Sequence, residues 1–242
     1  MQESERIVSV VSIENDGVKS KATVKLNKPG TAEITAYDWT GNVRAVCEVT
    51  VKAVAAPKNF TVASDGYNKI KITWSKVSEA DGYYVYRCNK SGSTIRKWRW
   101  NNSVTSFNDG GLTTGTTYYY KIKAYKVVDD VTYDGTYTSL KAAKPALSRP
   151  GTPGVSRYSS SYVKVKWKGV SGESGYQVYR AKSKNGSYSR VASVKMTTSS
   201  YPYAKIRTAK GKTYYYKVRA YKKIGNRYVY SSFSAPKSYK LR

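Results

Sequence analysis

Acid–base and metal chemistry in proteins falls most often to histidine, and this 242-residue chain has none. Without imidazole, catalysis would need paired carboxylates, a perturbed lysine or an activated cysteine. Carboxylates are scarce where a pair would be needed: between residues 145 and 242 the single acid is Glu173. Asp109, Asp129, Asp130 and Asp134 fall in expected loops, where aspartates bond their own backbone and shape turns. A calcium site is the alternative use of such residues. Cys47 and Cys88 stand far apart and read as small buried hydrophobes rather than a bridge or a metal pair. These residues argue against an enzyme, and no metal or cofactor is expected.

Positive charge is what the chain has in excess, with 43 Lys and Arg against 15 Asp and Glu. The balance is 7 against 7 over residues 1–54, 14 against 7 over 55–144, and 22 against 1 over 145–242. A field of one sign concentrates polyanions and weakens with salt. The candidate polyanion-binding residues are Lys164, Lys166 and Lys168 on one expected strand, Lys217 and Arg219 on another, and Lys222, Lys223 and Arg227 at the following hairpin. Rows of cations on adjacent strands make a sheet-wide patch; the plain alternative is that lysines keep a sheet face or edge soluble. Tyr119, Tyr125, Tyr215 and Tyr221 between cations could stack bases. No nucleic-acid motif accompanies them, so nucleic acid is the minor reading. In Ile95-Arg-Lys-Trp-Arg-Trp100, Trp98 aligns with Val191 of a later repeat and is assigned to packing. Trp100 is left as a candidate aromatic contact.

The elements that must position these residues are written twice. Tyr118-Tyr-Tyr-Lys-Ile-Lys-Ala-Tyr-Lys126 returns 96 residues later as Tyr214-Tyr-Tyr-Lys-Val-Arg-Ala-Tyr-Lys222. Alternation puts Tyr118, Tyr120, Ile122 and Ala124 on a core face, and Tyr119, Lys121, Lys123 and Tyr125 on a wet, basic one. Ile70-Lys-Ile-Thr-Trp74 matches Val163-Lys-Val-Lys-Trp167, and Gly82-Tyr-Tyr-Val-Tyr-Arg87 matches Gly175-Tyr-Gln-Val-Tyr-Arg180, both at an offset of 93. The spacing predicts strands at 59–63, 69–75, 82–88, 95–100, 117–126 and 136–141, then at 155–158, 162–168, 175–181, 188–194, 213–222 and 228–238. Lys144 to Pro153, with three prolines, reads as a stiff linker. Residues 1–54 differ from the repeats, with strands at 21–26, 31–36 and 46–51. No stretch approaches the ~20 apolar residues of a membrane span.

The repeat resembles the fibronectin type III domain, in the tandem form of secreted and wall-associated Gram-positive proteins. The resemblance rests on a Trp-ended strand, Gly-Tyr-x-Val-Tyr-Arg, Leu112-Thr-Thr-Gly115 ahead of Tyr118, and a Ser-Ser ending. It implies core tryptophans at Trp74 and Trp167 and tyrosine corners at Tyr118 and Tyr214. The second copy departs from the pattern with Thr208-Ala-Lys-Gly211. Pro29 to Ala36 and Cys47 to Val51 resemble the end of a group 2 bacterial immunoglobulin-like (BIG2) domain. The expected architecture is all-β: a partial immunoglobulin-like domain (1–54), then fibronectin type III-like sandwiches at 55–146 and 147–242. The function these imply is a non-catalytic accessory or spacer segment of a secreted or cell-surface Gram-positive protein. It would be monomeric, part of a longer multidomain chain, and held by charge to an anionic wall polymer such as teichoic acid or to a surface glycan. The alternative is an adhesin segment binding a host protein or glycan through the Trp98 to Trp100 strand.

Overall fold

The computed structural model describes residues 8–15, 20–26, 29–37, 40–128, 130–196 and 198–242, and every regular element among them is a β-strand. β1 (Val8–Asn15) pairs antiparallel with β2 (Ser20–Leu26), and β3 (Gly30–Tyr37) with β4 (Val43–Val51), as two separate two-stranded sheets. A two-stranded sheet cannot cover its own apolar face, and Val10, Ile13, Tyr37, Val43 and Val46 are each more than half exposed. Cys47 sits on β4 and is exposed for the same reason, against the expectation of burial. Cys88 is buried, and desolvation raises its thiol pKa.

The first sequence copy holds β5 (Thr61–Ser64), β6 (Ile70–Thr73), β7 (Gly82–Cys88), β8 (Thr94–Asn101), β9 (Ser106–Asp109), β10 (Tyr118–Val128), β11 (Val131–Tyr137) and β12 (Lys141–Ala143). The second repeats them as β13 (Gly154–Arg157), β14 (Tyr162–Lys166), β15 (Gly175–Ala181), β16 (Ser189–Lys195), β17 (Tyr203–Arg207), β18 (Thr213–Ile224), β19 (Arg227–Tyr230) and β20 (Lys237–Lys240). Each copy has a three-stranded sheet, β5-β6-β9 or β13-β14-β17. Each also has a five-stranded one, β11-β10-β7-β8 with β12 on β10, or its counterpart β19-β18-β15-β16 with β20 on β18. The chain is all-β and of the immunoglobulin-like sandwich class. β9 and β17 lie outside the expected strands, and the single strands expected at 136–141 and 228–238 are each two elements.

Two compact units divide the chain: Met1–Phe60 with Trp74–Thr105 and Tyr120–Leu140, and Thr61–Thr73 with Ser106–Tyr119 and Lys141–Arg242. In the first unit the alternation of β7 and β10 buries Tyr83, Val85, Tyr120, Ile122 and Ala124 completely. Their other face is not wet. Tyr84, Tyr86, Lys123 and Tyr125 are also buried, because long cationic side chains arch over the rings. Lys97 Nζ lies 3.6 Å from the Tyr84 ring centre, and the Arg99 guanidinium 4.7 Å from that of Tyr125. Arg99 Nε donates to Tyr125 Oη at 3.0 Å, and Lys123 pairs with Asp134. Tyr125 lies so close over Gly82 that a Cβ there would stand 2.4 Å from its hydroxyl. Gly175 meets Tyr221 in the same way at 2.6 Å.

The second unit contains the whole second copy. Val163, Val165, Trp167, Tyr176, Val178, Ile206, Tyr216, Val218 and Ala220 form its core with Leu147 and Leu241. Each fully buried Val or Ile contributes about 1.5–3 kcal/mol of burial. Trp167 packs on Tyr176 with centroids 5.3 Å apart and the rings tilted at 58°, and Tyr176 Oη accepts from Val170 N at 2.8 Å. Trp74, Tyr83 and Val77 repeat this arrangement at 5.4 and 2.8 Å. The proline-rich stretch expected as a linker is packed: Pro145, Pro150 and Pro153 are buried and Leu147 enters the core. Ala146 N donates to Gly66 O at 3.1 Å and Gly115 N to Pro145 O at 2.7 Å. Tyr67 packs on this same core and on Gly172, whose φ is +81° and whose Cβ would overlap the ring.

Candidate polyanion-binding surfaces

The eight cations singled out from the sequence fall on two sheets. β14 and β18 are not neighbours, so the single sheet-wide patch expected from them does not form. On β14, Val163 and Val165 are in the core and Lys164 and Lys166 point outward, with Lys168 exposed just beyond the strand. Their neighbour is β17, in register Tyr162 with Arg207, Lys164 with Lys205, and Lys166 with Tyr203. Lys164 Nζ lies 4.4 Å from the Tyr203 ring centre, Lys166 Nζ 4.9 Å from Tyr201, and Lys205 Nζ 4.2 Å from Tyr158. The Tyr158 hydroxyl, as hydrogen-bond partner, raises the Lys205 pKa above its ordinary value.

Sequence reasoning missed half of this surface. Tyr203-Ala-Lys-Ile-Arg207 alternates as a strand should, with Ala204 and Ile206 buried and the rest exposed. That five-residue alternation was the signal.

The cations of β18 are held differently. Arg219 Nε donates to Gln177 Oε1 at 3.0 Å and its Nη2 to Tyr179 Oη at 2.8 Å, with the Tyr230 ring centre 3.9 Å away. Lys217 Nζ lies between the rings of Tyr188 and Phe233, at 3.9 and 4.2 Å. Lys222 Nζ donates to Gly172 O at 2.9 Å and lies 4.7 Å from the Tyr67 ring centre. These three are half-buried parts of the fold, whereas Lys223 and Arg227 are exposed at the β18–β19 hairpin. Tyr119, Tyr215 and Tyr221 are half-buried and Tyr125 is buried, so no exposed row of bases could stack along them.

The remaining candidates have structural surroundings. Trp98 and Trp100 pair with Val85 and Tyr83 on the edge strand β8, share their inward side, and are half-buried. The Arg96 and Arg87 guanidinium groups flank Trp98 at 5.0 and 5.9 Å. Trp74 and Trp167 are 4% and 2% exposed. Tyr118 Oη accepts from Thr113 N at 3.0 Å, five residues back. Tyr214 instead lies beneath the Arg180 guanidinium at 4.5 Å, and the nearby hydroxyl bond joins Tyr216 to Thr208 at 2.9 Å. The departure at Thr208-Ala-Lys-Gly211 is thus accompanied by a different corner. Burial pushes the Tyr176 phenol up to about 12. Asp109 is buried at the end of β9 and Asp134 is on β11, so neither is a loop residue; Asp130 does turn, at φ +61°, and Asp129 lies outside the described residues. Among the described residues no group of three or more Asp, Glu and Cys could hold a metal ion.

Residues 55–132 match the fibronectin type III domain. The second copy repeats the strand order of the fibronectin type III match, and together the copies form a tandem of that fold. The chain is 29% identical over 219 residues to Exoglucanase B of Cellulomonas fimi, covering 80% of this chain and 18% of that one. It is 32% identical over 94 residues to an amylopullulanase of Thermoanaerobacterium thermosulfurigenes, covering 39% and 5%. It therefore spans less than a fifth of these curated relatives. Among solved structures, the chicken interferon gamma receptor alpha chain superposes with a TM-score of 0.53 at 16% identity, over 78% of this chain and 99% of that one. No helix among the described residues is long and apolar enough to cross a membrane.

Proposed function

We propose that the chain is a non-catalytic accessory segment of a secreted or cell-surface Gram-positive protein, held to an anionic wall polymer such as teichoic acid by its second copy. In this reading 1–54 is the end of a BIG2-like domain, and 55–146 and 147–242 are the fibronectin type III-like modules. The observation that carries it is the 22-to-1 excess of cations over residues 145–242, with Lys166, Lys168, Lys223 and Arg227 exposed and Lys164 half-buried on the outer side of β14. Matching segments within far longer polysaccharide-degrading enzymes support an accessory role beside a catalytic domain. The half-buried, inward Trp98 and Trp100 favour this reading over an adhesin.

The test is sedimentation of the full chain with Gram-positive walls, with and without teichoic acid, at low and high salt. Charge retention predicts pelleting at low salt that disappears at high salt and on teichoic acid removal. Pelleting that persists in high salt, or none at all, would overturn it.

A further inference from the structure

We propose that the outer face of the β13-β14-β17 sheet binds a carboxylate-bearing polysaccharide, its sugar rings lying on exposed tyrosines and its carboxylates on the lysines between them. This rests on the anionic-polymer reading above: charge retention on a phosphate polymer needs no rings, and this face adds a second anionic ligand, a glycan that bears carboxylates. Tyr158, Tyr201 and Tyr203 are 50, 52 and 45% exposed, and each is visited by one ammonium, from Lys205, Lys166 and Lys164 respectively. An aromatic ring in water with a mobile cation over its face is an amphipathic unit: apolar face, charged rim. A sugar acid has the complementary form, with an apolar C–H face and a carboxylate at its edge. When that carboxylate draws the ammonium aside, the ring is uncovered for the sugar. Lys164 and Lys166 stand about 6.7 Å apart along the strand, and with Tyr201 and Tyr203 they line a shallow trough of about 380 Å³.

The first copy is an internal control. Backbone pairing makes Thr73 the counterpart of Lys166, Ser106 of Tyr203 and Asn108 of Lys205. Tyr158 corresponds to Asp65, and Tyr201 to Val104. The same sheet therefore forms without any of these rings, and folding alone does not call for them. The one acid of residues 145–242, Glu173, acts on the Tyr176 phenol, and Lys164, Lys166 and Lys205 each lie over a tyrosine ring. The lysines are point charges that accept a carboxylate or a phosphate alike, so it is the three exposed rings beside them that set a sugar acid apart from a polyanion without sugar rings.

The experiment titrates the full chain with polygalacturonate, polyphosphate and poly(dT) at fixed salt, by calorimetry. The variant Tyr201→Val/Tyr203→Ser carries the residues that the first copy tolerates, and its circular dichroism should match the parent. The expected result is polygalacturonate binding weakened at least tenfold in the variant, with polyphosphate affinity unchanged within twofold. Should the variant keep polygalacturonate affinity within twofold, the rings play no part and this inference falls while charge retention stands. Tighter binding of poly(dT), lost in the same variant, would make the face a base-stacking one and overturn the inference. Failure of both polygalacturonate and polyphosphate to bind would remove the anionic-polymer reading as well.

Discussion

Replacing Arg219 by alanine should lower stability and leave wall binding intact, while Lys164→Ala should do the reverse. Arg219 makes two hydrogen bonds, to Gln177 and Tyr179, and its guanidinium lies 3.9 Å from the Tyr230 ring centre. Each bond is worth about 1 kcal/mol net, and the ring contact about 0.5–1. Because the side chain is only half-buried, the lower end applies, about 2.5 kcal/mol. Gln177, which is 5% exposed, would lose one of the two donors to its Oε1 and keep the Tyr179 hydroxyl at 3.1 Å. Arg219→Lys should recover less than half, since an ammonium cannot span Gln177 and Tyr179 in one plane. Lys164 has only the exposed Tyr203 ring as partner, so its removal should cost within about 0.5 kcal/mol. Urea unfolding gives the first quantity and wall pelleting at low salt the second. If Arg219→Ala keeps its urea midpoint but loses the wall, the division between structural and ligand-facing cations is wrong.

Asp81 accepts from Val127 N at 2.6 Å and pairs with Lys126 at 3.3 Å, and the backbone bond is the larger cause of its lowered pKa. A depressed carboxylate contributes stability above its unfolded pKa of about 4 and loses it as pH falls through the folded value. The stability gap between the protein and Asp81→Asn should be flat above about pH 5 and close below about pH 4; a gap that widens in acid would contradict this. Tyr118→Phe should cost about 1 kcal/mol through the lost bond to Thr113 N, and Tyr214→Phe under about 0.5. Equal losses in urea unfolding would show that the two corners are alike after all. Gly172→Ala should cost about 1–2 kcal/mol from its left-handed backbone alone, plus the displacement of Tyr67. The double variant with Tyr67→Ala should regain the steric share in a coupling cycle, and strict additivity would remove the claim of contact.

Much of the fold was legible because alternation and repetition agree. Two copies of Tyr-Tyr-Tyr-Lys, each preceded by a Trp-ended strand and Gly-Tyr, specify β6, β7, β10 and their counterparts whatever the surroundings. β9 escaped because Ser106-Phe-Asn-Asp109 holds one apolar residue, too few for a period. The candidate surface was half legible. Lys164 and Lys166 could be read as outward from Val163 and Val165, but their companions Tyr203 and Lys205 lie some 40 residues on and meet them only through strand pairing. The supposed wet face of β10 failed for a different reason. Alternation says which side a residue takes, not what covers it, and Lys97 and Arg99 from β8, beyond β7 in the sheet, do the covering.

The two copies also solve the same charge problem with different chemistry. In the first, Lys123 pairs with Asp134 and Lys126 with Asp81. The second has Arg219 where Lys123 stands and Ser174 where Asp81 stands; Arg219 relies on Gln177, Tyr179 and the Tyr230 ring. A carboxylate would hold such a cation and also cancel its charge. A tyrosine face or hydroxyl holds it and leaves the charge in place. Exchanging acids for tyrosines therefore lets a module fold with 22 cations and one acid while its outward field stays undiminished. The abundance of tyrosine and the scarcity of acid in residues 145–242 are then one feature, and it is the arrangement that the proposed polyanion binding would call for.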